Sequence, residues 1–90
     1  MAHVKREVVI RNKLGLHARP AMAFVDLANK FACDIQVRKA AETVDGKSVM
    51  QMMLLAATQG TRLTVEADGL DAVEAVRALE GLVLDRFDEE

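Results

Sequence analysis

The sequence has little of what commonly stabilises or anchors a small protein. Among its 90 residues there is one cysteine and one proline, and there is no tryptophan or tyrosine. A lone cysteine, Cys33, cannot form an intramolecular disulfide, so a disulfide-stapled secreted scaffold is excluded and a reducing, cytoplasmic compartment is the simpler expectation. Glycine is also scarce, while 51% of the residues are hydrophobic, which favours a folded domain over a low-complexity chain.

An excess of positive charge is absent too. Twelve lysines and arginines oppose fourteen aspartates and glutamates, which gives a formal net charge of −2. A general nucleic-acid binder needs a basic surface, so we expect no nucleic-acid partner. The longest apolar run, residues 52–57, is far shorter than the ~20 residues that cross a bilayer, and the charged stretch 3–7 leaves no signal-peptide core. We therefore expect a soluble, unexported chain with no membrane partner.

The length and the periodicity predict one α+β domain over residues 1–90. A chain this short buries only somewhat over ~60% of its unfolded surface, which supports one core. Alternating apolar and polar residues predict four strands, at residues 4–10, 33–38, 42–44 and 62–67. With helices between and after them, the order is βαββαβα, which predicts three helices on one face of a four-stranded sheet.

Three segments have apolar residues at helical spacing. Proline fits the first turn of a helix and the residue before it avoids helical angles, so proline alone predicts a first helix from Pro20 to near Lys30. Ser48 is expected to cap a short helix that runs to about Leu55, and Asp71 can cap the last helix. The apolar stripe of that last helix is predicted to consist of Val73, Val76, Leu79 and Leu82 or Val83.

The segment 12–21 contains residue types that are suited to a reactive site and that folding alone does not require. His17 and Arg19 stand at the start of the first helix, where free N–H groups and the helix dipole favour an anion. A neutral imidazole is nucleophilic, and a guanidinium can neutralise two phosphate oxygens. No carboxylate lies within six residues after His17 or nine before it, so no local base is available to activate water. Phosphoryl transfer to a partner is therefore favoured over hydrolysis.

Two motifs together resemble the HPr family of histidine-containing phosphocarriers. They are Gly-Leu-His-Ala-Arg-Pro-Ala at residues 15–21 and Lys-Ser-Val-Met at residues 47–50. The predicted element order also matches that family's open-faced sandwich of four antiparallel strands and three helices. The resemblance covers nearly the whole chain and implies a phosphocarrier, not an enzyme, that needs no cofactor and works as a monomer in the phosphoenolpyruvate-dependent sugar phosphotransferase system.

The resemblance assigns roles to three adjacent residues. It implies that His17 accepts a phosphoryl group on a ring nitrogen from enzyme I and gives it to a sugar-specific enzyme II A component. Arg19 would balance the charge of the phosphate, and Ala18 would contribute a backbone N–H. The resemblance also makes His17 the cap of the first helix, in conflict with the start at Pro20, and we follow the resemblance on that boundary.

Ser48 is the second candidate site. Its residue type predicts an N-cap worth ~1 kcal/mol over alanine. The resemblance adds that some family members are phosphorylated there by an HPr kinase/phosphorylase and contact regulatory proteins. A phosphate at a helix N-terminus is electrostatically tolerated and would change the charge of the face beside His17.

Residues 49–57 are apolar on nearly every side of a short helix, which indicates that part of the helix faces solvent as an adaptable docking surface. Met52 is more simply assigned to the core. Gln51 departs from the glycine or larger apolar residue that family members more often carry, which leaves partner preference open at that edge. By resemblance, the partner-binding patch around His17 consists of Met22, Val25, Val49, Met50 and Met53.

Other functions receive less support from the sequence. His3, His17 and Cys33 have no usual metal-ligand spacing, so no metal is expected, and Cys33 is interpreted as a core residue. The acidic residues Asp85, Asp88, Glu89 and Glu90 are predicted to be a solvated terminus. Two alternatives stay open: a regulatory protein whose phosphorylation at His17 or Ser48 controls partner enzymes or transcription factors without sugar transport, and a small phosphohydrolase.

Overall fold

A computed structural model describes residues 2–89 and confirms the predicted order of strands and helices. One short 3-10 turn, Arg86–Asp88, follows the last helix. No helix in the described part of the chain is long and apolar enough to cross a membrane. The elements are β1 (Ala2–Val9), α1 (Ala18–Ala28), β2 (Asp34–Lys39), β3 (Glu42–Asp45), α2 (Val49–Leu54), β4 (Arg62–Gly69) and α3 (Ala72–Leu84).

The four strands form one antiparallel sheet in the order β1-β4-β2-β3. Side chains alternate between its two faces, as the period of two in the sequence predicts. Leu63, Val65 and Ala67 of β4 are buried on the face that the helices cover. The opposite face carries polar residues such as His3 and Glu66, whose side chains interact across β1 and β4. The fold is therefore an open-faced sandwich, with its core between the sheet and the helices.

The buried side of α3 differs from the apolar stripe that the sequence predicts. In α3, Val73 is 44% exposed and lies outside the core, so its place in the predicted stripe is wrong. Ala72 and Ala75 are fully buried instead, because their small side chains let α3 lie close against the sheet. Val76, Leu79 and Val83 are buried as predicted.

Asp71 is the N-cap residue of α3, as predicted, but its side chain makes no capping hydrogen bond. Its carboxylate accepts hydrogen bonds from the backbone N–H of Ala32 at 2.8 Å and of Cys33 at 2.9 Å, which ties the start of β2 to the start of α3. The bond from Ala32 is the main reason that the pKa of Asp71 is lowered. Burial raises the pKa of the Cys33 thiol to about 11, and this residue belongs to the core as expected.

The loop between β1 and α1 is held in place by backbone contacts. The N–H of Leu16 donates to the carbonyl of Ala57 at 2.8 Å, and the N–H of Gly15 donates to the carbonyl of Asn12 at 3.2 Å. Gly15 has a φ of +69°, which a residue with a side chain adopts only with strain. A Cβ atom there would lie 2.4 Å from the carbonyl oxygen of Ala57. Glycine is therefore required for the loop to approach the segment after α2.

We predict that Gly15→Ala lowers the free energy of unfolding by about 2–4 kcal/mol, because it adds backbone strain and a steric clash. The matched control is Gly81→Ala within α3, where a Cβ meets nothing within 4 Å. Alanine at that helical position should raise the free energy of unfolding by about 0.5–1 kcal/mol. Urea denaturation of both variants measures the difference, and similar effects of the two substitutions would contradict the role given to Gly15.

Candidate functional site

His17 is the N-cap of α1, and the helix begins at Ala18. The first bond of the helix joins the N–H of Ala21 to the carbonyl of His17 at 3.0 Å. The start at Pro20 that proline alone predicts is therefore wrong, and the start that the family resemblance implies is confirmed. Pro20 is the third helical residue, where its missing N–H has no intrahelical partner to lose. Arg19 is helical although it precedes a proline, so the first turn overrides that local preference.

The N-terminus of α1 is suited to bind an anion. The backbone N–H groups of Ala18 and Arg19 precede the first intrahelical bond, and no acidic residue lies in the first turn. The Arg19 side chain is exposed and forms no ion pair with any residue from 2 to 89. Together with Lys13 it lines an open groove of about 450 Å³, beside Leu14, Asp88 and Glu89. Arg19 and the two N–H groups that precede the first intrahelical bond thus stand at the helix end that His17 caps.

A carboxylate that the local sequence does not reveal contacts His17. The ring Nε2 lies 2.9 Å from Oε2 of Glu89, while the other carboxylate oxygen of Glu89 accepts a hydrogen bond from Nδ2 of Asn12 at 3.0 Å. Asn12 is 1% exposed, and its Nδ2 also donates to the carbonyl of Gly15 at 2.7 Å. The His17 side chain keeps 34% of its surface exposed. The His17 ring is therefore held by Glu89 on one side and exposed to solvent on the other.

The segment after α3 brings Glu89 to this position. Arg86, Phe87 and Asp88 all have φ between +55° and +62°, which forms a short left-handed turn. Phe87 is only 6% exposed, so it anchors the turn in the core. The prediction of a solvated terminus is wrong for Glu89, although Asp85 and Asp88 are exposed, and Glu90 lies outside the described residues. One apolar residue within an acidic segment, Phe87, was the available signal.

Ser48 is the N-cap of α2, as predicted. Its Oγ accepts a hydrogen bond from the N–H of Gln51 at 3.2 Å. The side chain of Gln51 in turn accepts from the N–H of Asp45 at 2.9 Å, which joins α2 to the end of β3. Gln51, whose residue type departs from the family pattern, thus has a structural contact.

The predicted docking residues divide between surface and core. Met22, Met50 and Met53 are exposed, Val49 is partly buried, and α1 packs beside α2. Val25 is only 5% exposed, so the structure corrects its assignment to the patch, because it faces the core from the inner side of α1. Met52 is fully buried, as expected.

We call Met22, Val49, Met50 and Met53 the methionine patch. Two leucines that the sequence did not single out are also exposed: Leu14 in the loop before α1, and Leu54 at the end of α2.

The structure does not bring His3, His17 and Cys33 together. Within residues 2–89 no group of three potential metal ligands is found. His3 lies on the open face of the sheet with Glu66, and Cys33 lies in the core. These residues therefore offer no metal site in the described part of the chain.

Several curated proteins are similar to this sequence over nearly its whole length. A family model described as the phosphorylation site of the HPr component of the phosphotransferase system matches residues 4–85. The phosphocarrier protein HPr of Pseudomonas aeruginosa is 48% identical over 84 residues, which cover 92% of this chain and 93% of that protein. The phosphocarrier protein NPr of Proteus mirabilis is 41% identical over 87 residues, which cover 94% and 96% of the two chains.

Solved structures of HPr proteins are also similar to this chain. The crystal structure of HPr-C-His from Thermoanaerobacter tengcongensis has a TM-score of 0.90 at 43% identity and covers 100% of this chain and 99% of that chain. The phosphocarrier protein HPr from Bacillus anthracis has a TM-score of 0.87 at 43% identity, with 92% and 99% covered. This chain therefore belongs to the HPr family, and it is a phosphocarrier of the phosphotransferase system.

Proposed function

We propose that His17 carries the phosphoryl group and that the chain moves it from enzyme I to an enzyme II A component. The observation that supports this most strongly is the position of His17 as the N-cap of an 11-residue helix, beside an exposed Arg19 that forms no ion pair within residues 2–89. In this proposal the chain works as a cytoplasmic monomer without a cofactor. Each copy contains a complete acceptor site, and the free, buried Cys33 suits a reducing compartment.

Nδ1 is the ring nitrogen that accepts the phosphoryl group in this proposal. Nε2 of His17 is bound to Glu89, which leaves Nδ1 as the nucleophile. The lone pair of Nδ1 forms a bond to phosphorus, and the bond from phosphorus to the donor breaks with its electron pair staying on the donor. The N–H groups of Ala18 and Arg19 and the Arg19 guanidinium stabilise the three phosphate oxygens.

The nearness of Glu89 does not turn the carrier into a hydrolase. A general base must lie within hydrogen-bond reach of the water that it deprotonates, and a carboxylate whose two oxygens are both held is not free to turn toward that water. One oxygen of Glu89 is bound by Asn12 and the other by His17. The conclusion that transfer is favoured over hydrolysis therefore stays, although the carboxylate that the local sequence lacks is supplied from far along the chain.

The experiment that tests the proposal is incubation of the purified protein with phosphoenolpyruvate and enzyme I, followed by intact mass measurement and acid treatment. We expect a gain of one phosphoryl group that is acid-labile and that His17→Ala abolishes. A phosphoryl group of the same lability on His17→Ala would overturn the assignment of the acceptor.

In the same assay, Arg19→Ala should slow phosphorylation by roughly 10-fold to 100-fold, because it removes a charge-assisted contact to the transferred group. Its melting temperature should change little, since the side chain is exposed. Lys30→Ala is the matched control, because it removes a cation just beyond the opposite end of α1. Equal rates for both variants would remove Arg19 from the mechanism.

We also propose that partners dock on the methionine patch. Met50 is 76% exposed, so Met50→Glu should lower the affinity for enzyme I at least tenfold, with a change of less than about 1 kcal/mol in the free energy of unfolding. Leu70→Glu is the control, because Leu70 is 86% exposed between β4 and α3. Calorimetric titration measures the affinity. Similar losses in the two variants would show that charge alone, and not this surface, weakens binding.

Regulatory phosphorylation at Ser48 is a separate part of the proposal. The Ser48 side chain is partly exposed, and an added phosphate would keep oxygen acceptors at the N-terminus of α2. Ser48→Asp should preserve the cap and the stability while it slows phosphorylation of His17 by enzyme I. Ser48→Ala should lower the free energy of unfolding by about 1 kcal/mol and leave the rate unchanged. If the rate responds to neither substitution, Ser48 is a cap only.

A further inference from the structure

The amide of Asn12 is oriented by two acceptors. Its Nδ2 donates to the carbonyl of Gly15 and to the carboxylate of Glu89, so a flipped amide would place Oδ1 against two oxygens. Oδ1 is buried and has no partner among the residues that the structure describes. An unpaired buried acceptor costs free energy, so this arrangement needs a compensating gain elsewhere. The contact that it maintains beyond the loop itself is the one with Glu89.

The Glu89 carboxylate determines which nitrogen of His17 carries the proton. An ionised carboxylate only accepts hydrogen bonds, so at 2.9 Å it requires a proton on Nε2. In the neutral ring the other nitrogen then has a free lone pair. The carboxylate thus selects the tautomer in which Nδ1 is nucleophilic.

We propose that Glu89 is a positioning residue for phosphoryl transfer, and that the buried Asn12 holds its carboxylate against Nε2 of His17. This inference rests on the proposed function of His17 as the acceptor. The arrangement corresponds to a nucleophilic histidine oriented by a carboxylate that a second side chain fixes.

The transfer step balances without a mobile proton. The bond from Nδ1 to phosphorus forms while the bond from phosphorus to the donor breaks, and the electron pair of that bond leaves with the donor. Nε2 keeps its proton, so the ring gains one positive charge, which the adjacent Glu89 carboxylate balances. Donation to the next protein reverses these changes. Glu89 therefore acts in both directions of the relay.

Glu89→Gln tests the inference because Asn12 fixes how the new amide can point. Nδ2 of Asn12 needs an acceptor, so the oxygen of the new amide should face Asn12 and its NH₂ group should face His17. An NH₂ donor requires an unprotonated Nε2, which moves the ring proton to Nδ1 and removes the nucleophile. The substitution keeps the shape of the side chain and inverts the tautomer.

The measurement has two readouts. Nitrogen-15 NMR of the ring gives the tautomer, and phosphorylation by enzyme I at varied carrier concentration gives kcat and KM. In Glu89→Gln we expect the proton to move from Nε2 to Nδ1 and kcat to fall at least tenfold, with KM nearly unchanged. Asp85→Asn is the control, because it removes one charge from an exposed residue just before the same turn, and it should match the wild-type protein in both readouts.

A second variant tests the part played by Asn12. In Asn12→Ala/Glu89→Gln the new amide is free to turn its oxygen toward His17, so part of the Nε2–H tautomer and part of the rate should return relative to Glu89→Gln. Absence of any recovery in a folded double variant would overturn the role of Asn12.

The outcomes separate this inference from the proposed function. An unchanged tautomer or an unchanged kcat in Glu89→Gln would overturn the role of Glu89, while loss of phosphorylation in His17→Ala would still support His17 as the acceptor. An acid-labile phosphoryl group on His17→Ala would instead overturn the proposed function itself.

Discussion

The hydrogen bond from the N–H of Leu16 to the carbonyl of Ala57 is the constraint on which the site depends. It fastens the loop before α1 to the segment after α2, and it can form at this distance because Gly15 has no side chain. Leu16 itself is only 5% exposed, so it anchors the end of the loop in the core directly before His17. His17 therefore stands at the helix end because of packing, and the chemistry of that helix end follows from its position.

Two opposite electrostatic environments meet at the His17 ring. The N–H groups of α1 and the exposed Arg19 attract an anion, whereas Glu89 would repel one but attracts a positive ring. A phosphorylated imidazole has both charges, a negative phosphate and a positive ring, and each finds its complement here. This local arrangement is not visible in the net charge of −2, which describes the whole chain.

Features that depend on neighbours in sequence could be predicted, and features that depend on distant residues could not. Alternation identified the strands, and residue type identified the Ser48 cap, because both are decided within a few positions. The carboxylate of Asp71 binds N–H groups 38 and 39 residues away, and Glu89 reaches His17 across 72 residues. The start of α1 needed the family motif, because a proline is compatible with several positions in a first turn.

α1 serves two functions through adjacent sides of one short helix. Its inner side buries Val25 in the core, while Met22, three residues earlier, is 51% exposed beside the site. Because the helix is fixed by its buried side, the exposed side and the N-cap keep a constant relation to each other. In the proposed function, a partner that contacts the methionine patch would therefore meet His17 at a fixed place, without a rearrangement of the core.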